Sequence, residues 1–289
     1  MSPLVPVFGI VGALLGAVLI GYLGSAGSVL AWGIPVFALC GVFAYLVQWL
    51  MFVHAWTNRT ESLYDLTGSI TYVVMIVAAV VLSANYSPQA LFIAGLIIVW
   101  AGRLGPFLYR RIKSAGEDRR FRQIKQNFGL FLMTWTLQGT WVFITASCAL
   151  AAITSRSAGA VDAYFLAGGL MWLVGFAIEV VADRQKSAFR SDPANQDHFI
   201  TTGLWAWSRH PNYFGEIILW LGIAVIAYPG LVGLQIYTLI SPLFVVLLLT
   251  AISGVRMLET RGDKRWGDDP EYQAYKQRTP VLVMWPPKG

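Results

Sequence analysis

The chain has 289 residues, 56% of them hydrophobic and only 12% charged, against about 25% charged in a soluble domain. Its net charge of +6 comes from loops between apolar runs, which excludes a nucleic-acid surface and fits the positive loops of a membrane protein. The two cysteines, Cys40 and Cys148, lie in apolar runs, which excludes a disulfide framework and a CxxC metal or redox motif.

No Asp, Glu, Lys or Arg occurs in 1–58, 66–102, 126–155 or 217–255. A bilayer core needs about 20 apolar residues per helix, so each run crosses once or twice. In chain order the hydrophobic helices are predicted over 4–24, 34–56, 66–84, 89–108, 128–152, 164–182, 212–228 and 231–253, with turn signals at Gly24–Ser28, Asn85–Pro88, Ser155–Gly159 and Pro229-Gly230. Tyr228-Pro229-Gly230 leaves almost no loop between the last two, so seven and eight spans both fit. The fold class is an all-α, polytopic helical membrane bundle with a cytoplasmic cap, and no strand is expected. The N-terminus lacks the basic region of a secretory signal.

Charge collects in 109–125, 183–210 and 256–289. The first holds Arg110, Arg111, Lys113, Arg119, Arg120, Arg122 and Lys125 against Glu117 and Asp118. Two hydrophobic segments separate each region from the next, so all three fall on one side, and their Lys/Arg excess makes that side cytoplasmic.

Residues 179–216 carry the polar groups that a bare span does not explain. Glu179, Asp183 and Lys186 share one helix face by their spacing of four and three. Asp192-Pro193 should stop that helix, and Pro211 suits the first turn of the next. Asn212 and Glu216 then lie one turn apart near an N-terminus, where phosphates bind well, with Arg209 and His210 adding positive charge. This loop can hold a polyanionic, nucleotide-sized ligand: Arg190 and Arg209 on phosphates, Asn195, Asn212, Asp183 and Glu216 on amides or hydroxyls, Trp205, Trp207 and Tyr213 stacking on rings. The alternative is a positive loop with interfacial Trp and Tyr, and composition alone does not choose.

The run Thr202-Gly-Leu-Trp-Ala-Trp-Ser-Arg-His-Pro-Asn-Tyr-Phe-Gly-Glu216, with Asp192-Pro-Ala-Asn195 upstream and Leu258-Glu-Thr-Arg261, Pro270-Glu-Tyr-Gln-Ala-Tyr275 and Thr279-Pro280 downstream, resembles the steroid 5α-reductase C-terminal domain superfamily, in particular its bacterial branch. The likeness spans about 60–287, with 1–55 outside it as extra N-terminal helices. It implies an integral, multi-pass enzyme of the bacterial inner membrane with NADPH as cofactor. That enzyme would reduce the C=C bond of a 3-oxo-Δ4-steroid or related isoprenoid enone taken from the bilayer, with no obligate protein partner. By that resemblance Arg103, Asp183, Arg190, Asn212, Glu216, Arg256, Glu259 and Arg261 fall at cofactor-contacting positions. Arg111, Glu179, Lys186, Asn195, Trp205, Ser208, Arg209, His210 and Tyr213 complete the candidate cofactor set, carried on segments 103–125, 179–216 and 256–280. No GxGxxG follows a strand, so a Rossmann site is excluded.

Enone reduction also needs a donor to polarise the ketone oxygen as enolate charge develops. Asp65 is placed like the family's catalytic Glu and Tyr64 like its polar neighbour; the plainer role for Asp65 is to stabilise a helix N-terminus. The steroid reductases carry a Tyr close before the span-end Arg, where this chain has Trp100; an indole N–H donates but is no acid, so either Tyr64 or Tyr109 substitutes or the substrate is held differently from that of the steroid reductases. Isolated His54 and His198 give no metal motif. Membrane isoprenylcysteine methyltransferases share an Arg-His-Pro segment, which leaves methyl transfer from S-adenosylmethionine as the alternative. A lipid transporter is the third reading, though no paired repeat supports it.

Overall fold

The computed structural model describes residues 4–118, 120–157 and 159–287; Arg119 of the basic cluster lies outside them. Among the described residues eight helical segments are long and apolar enough to span a membrane. They are α1 (Leu4–Ser25), α2 (Val36–Thr57), α3 (Tyr64–Ser83), α4 (Pro88–Ala115), α6 (Phe128–Thr154), α7 (Ala163–Ser191), the stretch Pro211–Gly230 containing α8 (Pro211–Ala227), and Gly233–Trp266. Seven or eight thus resolves as eight, because a 3-10 turn at Tyr228–Gly230 ends one span and the next begins at Gly233. The chain is an integral, multi-pass, all-α membrane protein. Between α4 and α6 lies the single turn α5 (Phe121–Ile124).

The charged stretch 109–115, expected as loop, continues α4 past Pro106, whereas α7 runs on to Ser191 and stops before Asp192-Pro193 as expected. The last span runs through α9 (Ile240–Leu247), a π-helical stretch (Leu248–Ile252) and α10 (Val255–Trp266), and α11 (Pro270–Arg278) follows. So 256–280 is mainly two helices rather than a loop. The charges of α4 and α10 stand on one side of helices that bury an apolar side, and a reading by charge alone takes such stretches for loop. Strand was not expected either, yet Leu30–Ala31 (β1) pairs with Ile34–Pro35 (β2), the latter read as the start of a helix. Trp32 and Gly33 between them both have positive φ, 53° and 79°, the geometry of a two-residue hairpin turn.

Two compact units emerge. One comprises 1–165 and 224–241, built on α6, which is buried along most of its length. Gly139 lets the Tyr45 ring lie 3.0 Å from where a Cβ would stand, and Gly41 admits Phe143 at 2.9 Å. Small residues of this kind allow close helix approach in lipid. Polar rungs tie the same helices: Gln48 Nε2 donates to Thr71 Oγ1 at 2.9 Å, Tyr45 and Thr140 hydroxyls meet at 2.8 Å, and Trp49 Nε1 donates to Thr136 Oγ1 at 3.1 Å. The other unit comprises 166–223 and 242–289 and centres on α7 against α8.

Candidate functional site

The first unit carries a charged cluster where α3 and α4 meet the 116–125 segment. Glu61, 5% exposed, uses both carboxylate oxygens: Oε2 accepts from Lys125 Nζ at 2.7 Å and Oε1 from the Asp118 backbone N–H at 2.9 Å. Asp118 in turn pairs with Arg120. Burial raises the Asp118 carboxyl, but Arg120 and then Arg111 outweigh it and hold it below its ordinary value. Asp65 sits in the first turn of α3 with Arg111 Nη2 at 4.0 Å. Tyr64 packs against Phe121 and Trp135, ring centroids 4.8 and 5.1 Å away, and gives its hydroxyl proton to the Thr134 carbonyl at 3.0 Å. Arg103 lies over the Phe107 ring. Trp100 is buried edge-on against Tyr72, with centroids 5.1 Å apart. The resemblance left Tyr64 or Tyr109, or a differently held substrate, to answer for the family's phenol at Trp100; in the structure the ring against Trp100 is that of Tyr72.

Local spacing gives no sign of the partners of Glu61, which lie 57 and 64 residues on. Replacing Glu61 by Ala strands the Lys125 ammonium and is expected to cost about 3 kcal/mol. Tryptic cleavage within 116–125 should then accelerate against wild type; unchanged digestion would remove Glu61 as the anchor of this segment.

The second unit brings the 179–216 residues together. Asp192 stops α7 as read, accepting from the Ala194 N–H at 2.9 Å ahead of a 3-10 turn at Pro193–Asn195. Gly203 takes φ 62°, which turns the chain so that the Leu204 N–H reaches Gln185 Oε1 at 2.9 Å. Trp205 is 2% exposed, its indole N–H on the Ala182 carbonyl at 3.1 Å and Lys186 Nζ 4.2 Å from its ring centroid. Its ring is therefore engaged within the unit rather than presented for stacking. Asn195 Nδ2 donates to the Phe189 carbonyl at 3.1 Å. Glu179 and Asp183 are buried on α7, Arg190 is exposed on its last turn, and Asn212, Tyr213 and Glu216 are half-buried on the first turns of α8.

The centre is ionic. Glu259 on α10 accepts from Arg209 through Oε2 and sits 2.8 Å from His210 Nε2 through Oε1. Burial holds the His210 pKa below its ordinary value of 6.5, against the raising pull of Glu259 and with help from Lys186 and Arg209. The Tyr213 ring lies nearly parallel to His210, at 8° and 5.7 Å. Arg209 Nε and His210 Nδ1 are buried with no hydrogen-bond partner among the described residues. Such orphaned groups are costly unless something else satisfies them. The tail locks the loop: Ser208 Oγ donates to the Leu282 carbonyl at 2.8 Å and accepts from the His210 N–H at 3.1 Å, and the Arg209 N–H reaches Pro280 O at 2.9 Å. Tyr275 adds its hydroxyl to the Trp205 carbonyl at 2.7 Å. Arg256 and Arg261 are exposed on α10, so of the three residues assigned there Glu259 is the one that meets Arg209 and His210. No group of three metal-ligating side chains occurs among the described residues.

A polytopic helical protein with a buried ionic bracket over its polar end is the class these features define. The chain belongs to a family described as a protein of unknown function (DUF1295), whose model matches residues 50–279. It is also similar to a probable O-methyltransferase, ustE, of Ustilaginoidea virens, 29% identical over 92 residues. That match spans 31% of this chain and 32% of the relative, so the chain covers about a third of that protein's length. No solved structure matches.

Proposed function

We propose that the chain is a membrane reductase that draws on NADPH to reduce the C=C bond of a lipid enone, of the 3-oxo-Δ4-steroid or isoprenoid type, with 60–287 as the reductase region and its polar segments facing the cytoplasm. The observation that carries this reading is the Arg209–Glu259–His210 bracket with its two unsatisfied buried nitrogens. Arg209 Nε is an N–H aimed at no protein acceptor, and it suits a phosphate oxygen. His210 Nδ1 suits a hydroxyl. When bound, the dinucleotide supplies a hydride. Arg209 and Arg190 would hold phosphate oxygens, Asn212 and Glu216 the amide and hydroxyl groups, and Asp183 a further hydroxyl. Asp65, with Arg111 beside it, is the group proposed to polarise the ketone oxygen; Tyr64 would share that role only by giving up its hydrogen bond to the Thr134 carbonyl.

A second reading, methyl transfer from S-adenosylmethionine, rests on the partial likeness to the probable O-methyltransferase. That donor has a sulfonium cation and no phosphate, which suits a lining cation such as Arg209 less well. Thermal-shift titration of the detergent-purified protein separates the two: NADPH, but not S-adenosylmethionine, is expected to stabilise it. The Asn212→Ala and Arg190→Ala variants should each weaken NADPH binding at least about tenfold, the effect of losing one charge-assisted or well-placed polar contact. Stabilisation by S-adenosylmethionine alone moves the assignment to methyl transfer and removes the role of Asp65.

A further inference from the structure

Beside the ionic bracket the C-terminal tail encloses a cleft of about 260 Å³, lined by Arg209, Lys276, Gln277, Arg278, Thr279 and Trp285 together with Pro280 and Val281. It lies wholly within the second unit. Three of its lining residues are cations and none is an acid. Like charges converging on one cleft repel, and the acids that offset them stand outside it. Glu259 takes Arg209 from one side, and Asp263 takes Lys276 at 2.5 Å. Arg209 is the built element: its side chain is 10% exposed, and its Nε is buried with no hydrogen-bond partner among the described residues. Arg278 is exposed at the last turn of α11 and makes no hydrogen bond or ion pair among the described residues. Trp285 is 63% exposed at the rim. The volume falls below the range of about 300–1,000 Å³ typical of whole-ligand pockets, so the cleft suits one end of a ligand.

We infer that the tail cleft is a phosphomonoester subsite in which the Arg209 and Arg278 guanidiniums grip the phosphate and the Lys276 ammonium adds charge. A phosphomonoester carries about −1.5 to −2 charges near neutrality and matches the planar guanidinium fork in two-point contact. Resting on the NADPH reading, the occupant is the ribose 2′-phosphate, and Lys276 and Arg278 become the residues that separate NADPH from NADH. The other source of the same chemistry is the phosphomonoester headgroup of a membrane lipid.

The experiment titrates the purified full-length protein with 2′,5′-ADP and with 5′-AMP, then with NADPH and NADH, and finally in nanodiscs with and without phosphatidate. Wild type and Arg278→Gln are compared, the exposed substitution being checked by its melting temperature, with Lys276→Gln as the second variant. Expected is a preference for 2′,5′-ADP of about tenfold or more, abolished in Arg278→Gln while 5′-AMP affinity stays put. Equal binding of NADPH and NADH overturns the subsite and leaves the reductase reading standing. A preference for 2′,5′-ADP that survives both variants also overturns it. Absence of nucleotide binding together with Arg278-dependent retention of phosphatidate supports the subsite with a lipid occupant, and the reductase reading then falls. Indifference of every probe to Arg278 overturns the proposal outright.

Discussion

Gly175→Leu is expected to prevent the second unit from assembling. A Cβ at Gly175 would stand 2.5 Å from the Gly215 carbonyl oxygen and 2.6 Å from the Leu219 nitrogen, and one at Gly215 would stand 2.5 Å from the Gly175 oxygen and 2.7 Å from the Glu179 nitrogen. Two turns away the contact repeats, Gly222 against the Gly168 oxygen at 2.6 Å. These neighbours are all backbone, so no rotamer change relieves the clash and α7 must move off α8. Overpacking costs about 1–3 kcal/mol where side chains can yield; here the cost is expected at or above the top of that range. Glu179 and Asp183 ride on α7, Asn212 and Glu216 on α8, so the NADPH binding proposed above should vanish with the fold. Gly12→Leu is the control, because nothing lies within 4 Å of a Cβ there. Monodisperse yield and melting temperature should fall sharply for Gly175→Leu and stay at wild-type values for Gly12→Leu. Equal behaviour of the two would refute the close crossing.

The spans were legible because a bilayer forbids charge, and this chain leaves 1–58, 66–102, 126–155 and 217–255 free of it. The stop of α7 at Asp192-Pro193 was legible for a local reason, the clash of a proline ring with a helical predecessor. What failed was the same logic applied outside the membrane: Arg110, Arg111 and Lys113 look like loop residues but continue α4 to Ala115. The β1–β2 hairpin was hidden because a tryptophan, Trp32, takes one of its positive-φ positions, where Gly or Asn is the usual signal. In the candidate site, the run Arg209-His210-Pro211-Asn212 carried the signal, but its partners did not. Glu259 stands 50 residues on from Arg209, and Lys125 stands 64 on from Glu61. Spacing within a helix reports neighbours three and four residues apart, and pairs like these are fixed only by how helices dock. The tail cations Lys276 and Arg278 were passed over for the same reason, while Arg256 and Arg261, singled out by resemblance, sit exposed on α10.

Glu259→Ala should be the most damaging single change in the polar end of the second unit. It leaves the Arg209 guanidinium, 10% exposed, without its carboxylate, and His210 Nε2 without its partner, in a place where Arg209 Nε and His210 Nδ1 already lack one. Removing one partner of a largely buried pair costs about 3–5 kcal/mol; Glu259 is itself 22% exposed, which puts the expectation at the lower end. Glu259→Gln should fall between, keeping an acceptor but not the charge. The bracket also sets a pH dependence. Burial holds His210 below its ordinary value of 6.5, so the folded chain binds its proton less readily than the unfolded one. Stability from this group is therefore complete above about 6.5 and is lost as pH falls through the lower folded value. Glu259 pulls the other way, so its removal depresses the folded value further and steepens the loss in acid. Melting temperatures recorded from pH 8 down to pH 5 should diverge between wild type and Glu259→Gln as the medium acidifies, and a His210→Phe background should erase the divergence. Parallel curves would mean that His210 titrates without regard to Glu259, and the bracket would then hold the loop by shape rather than by charge.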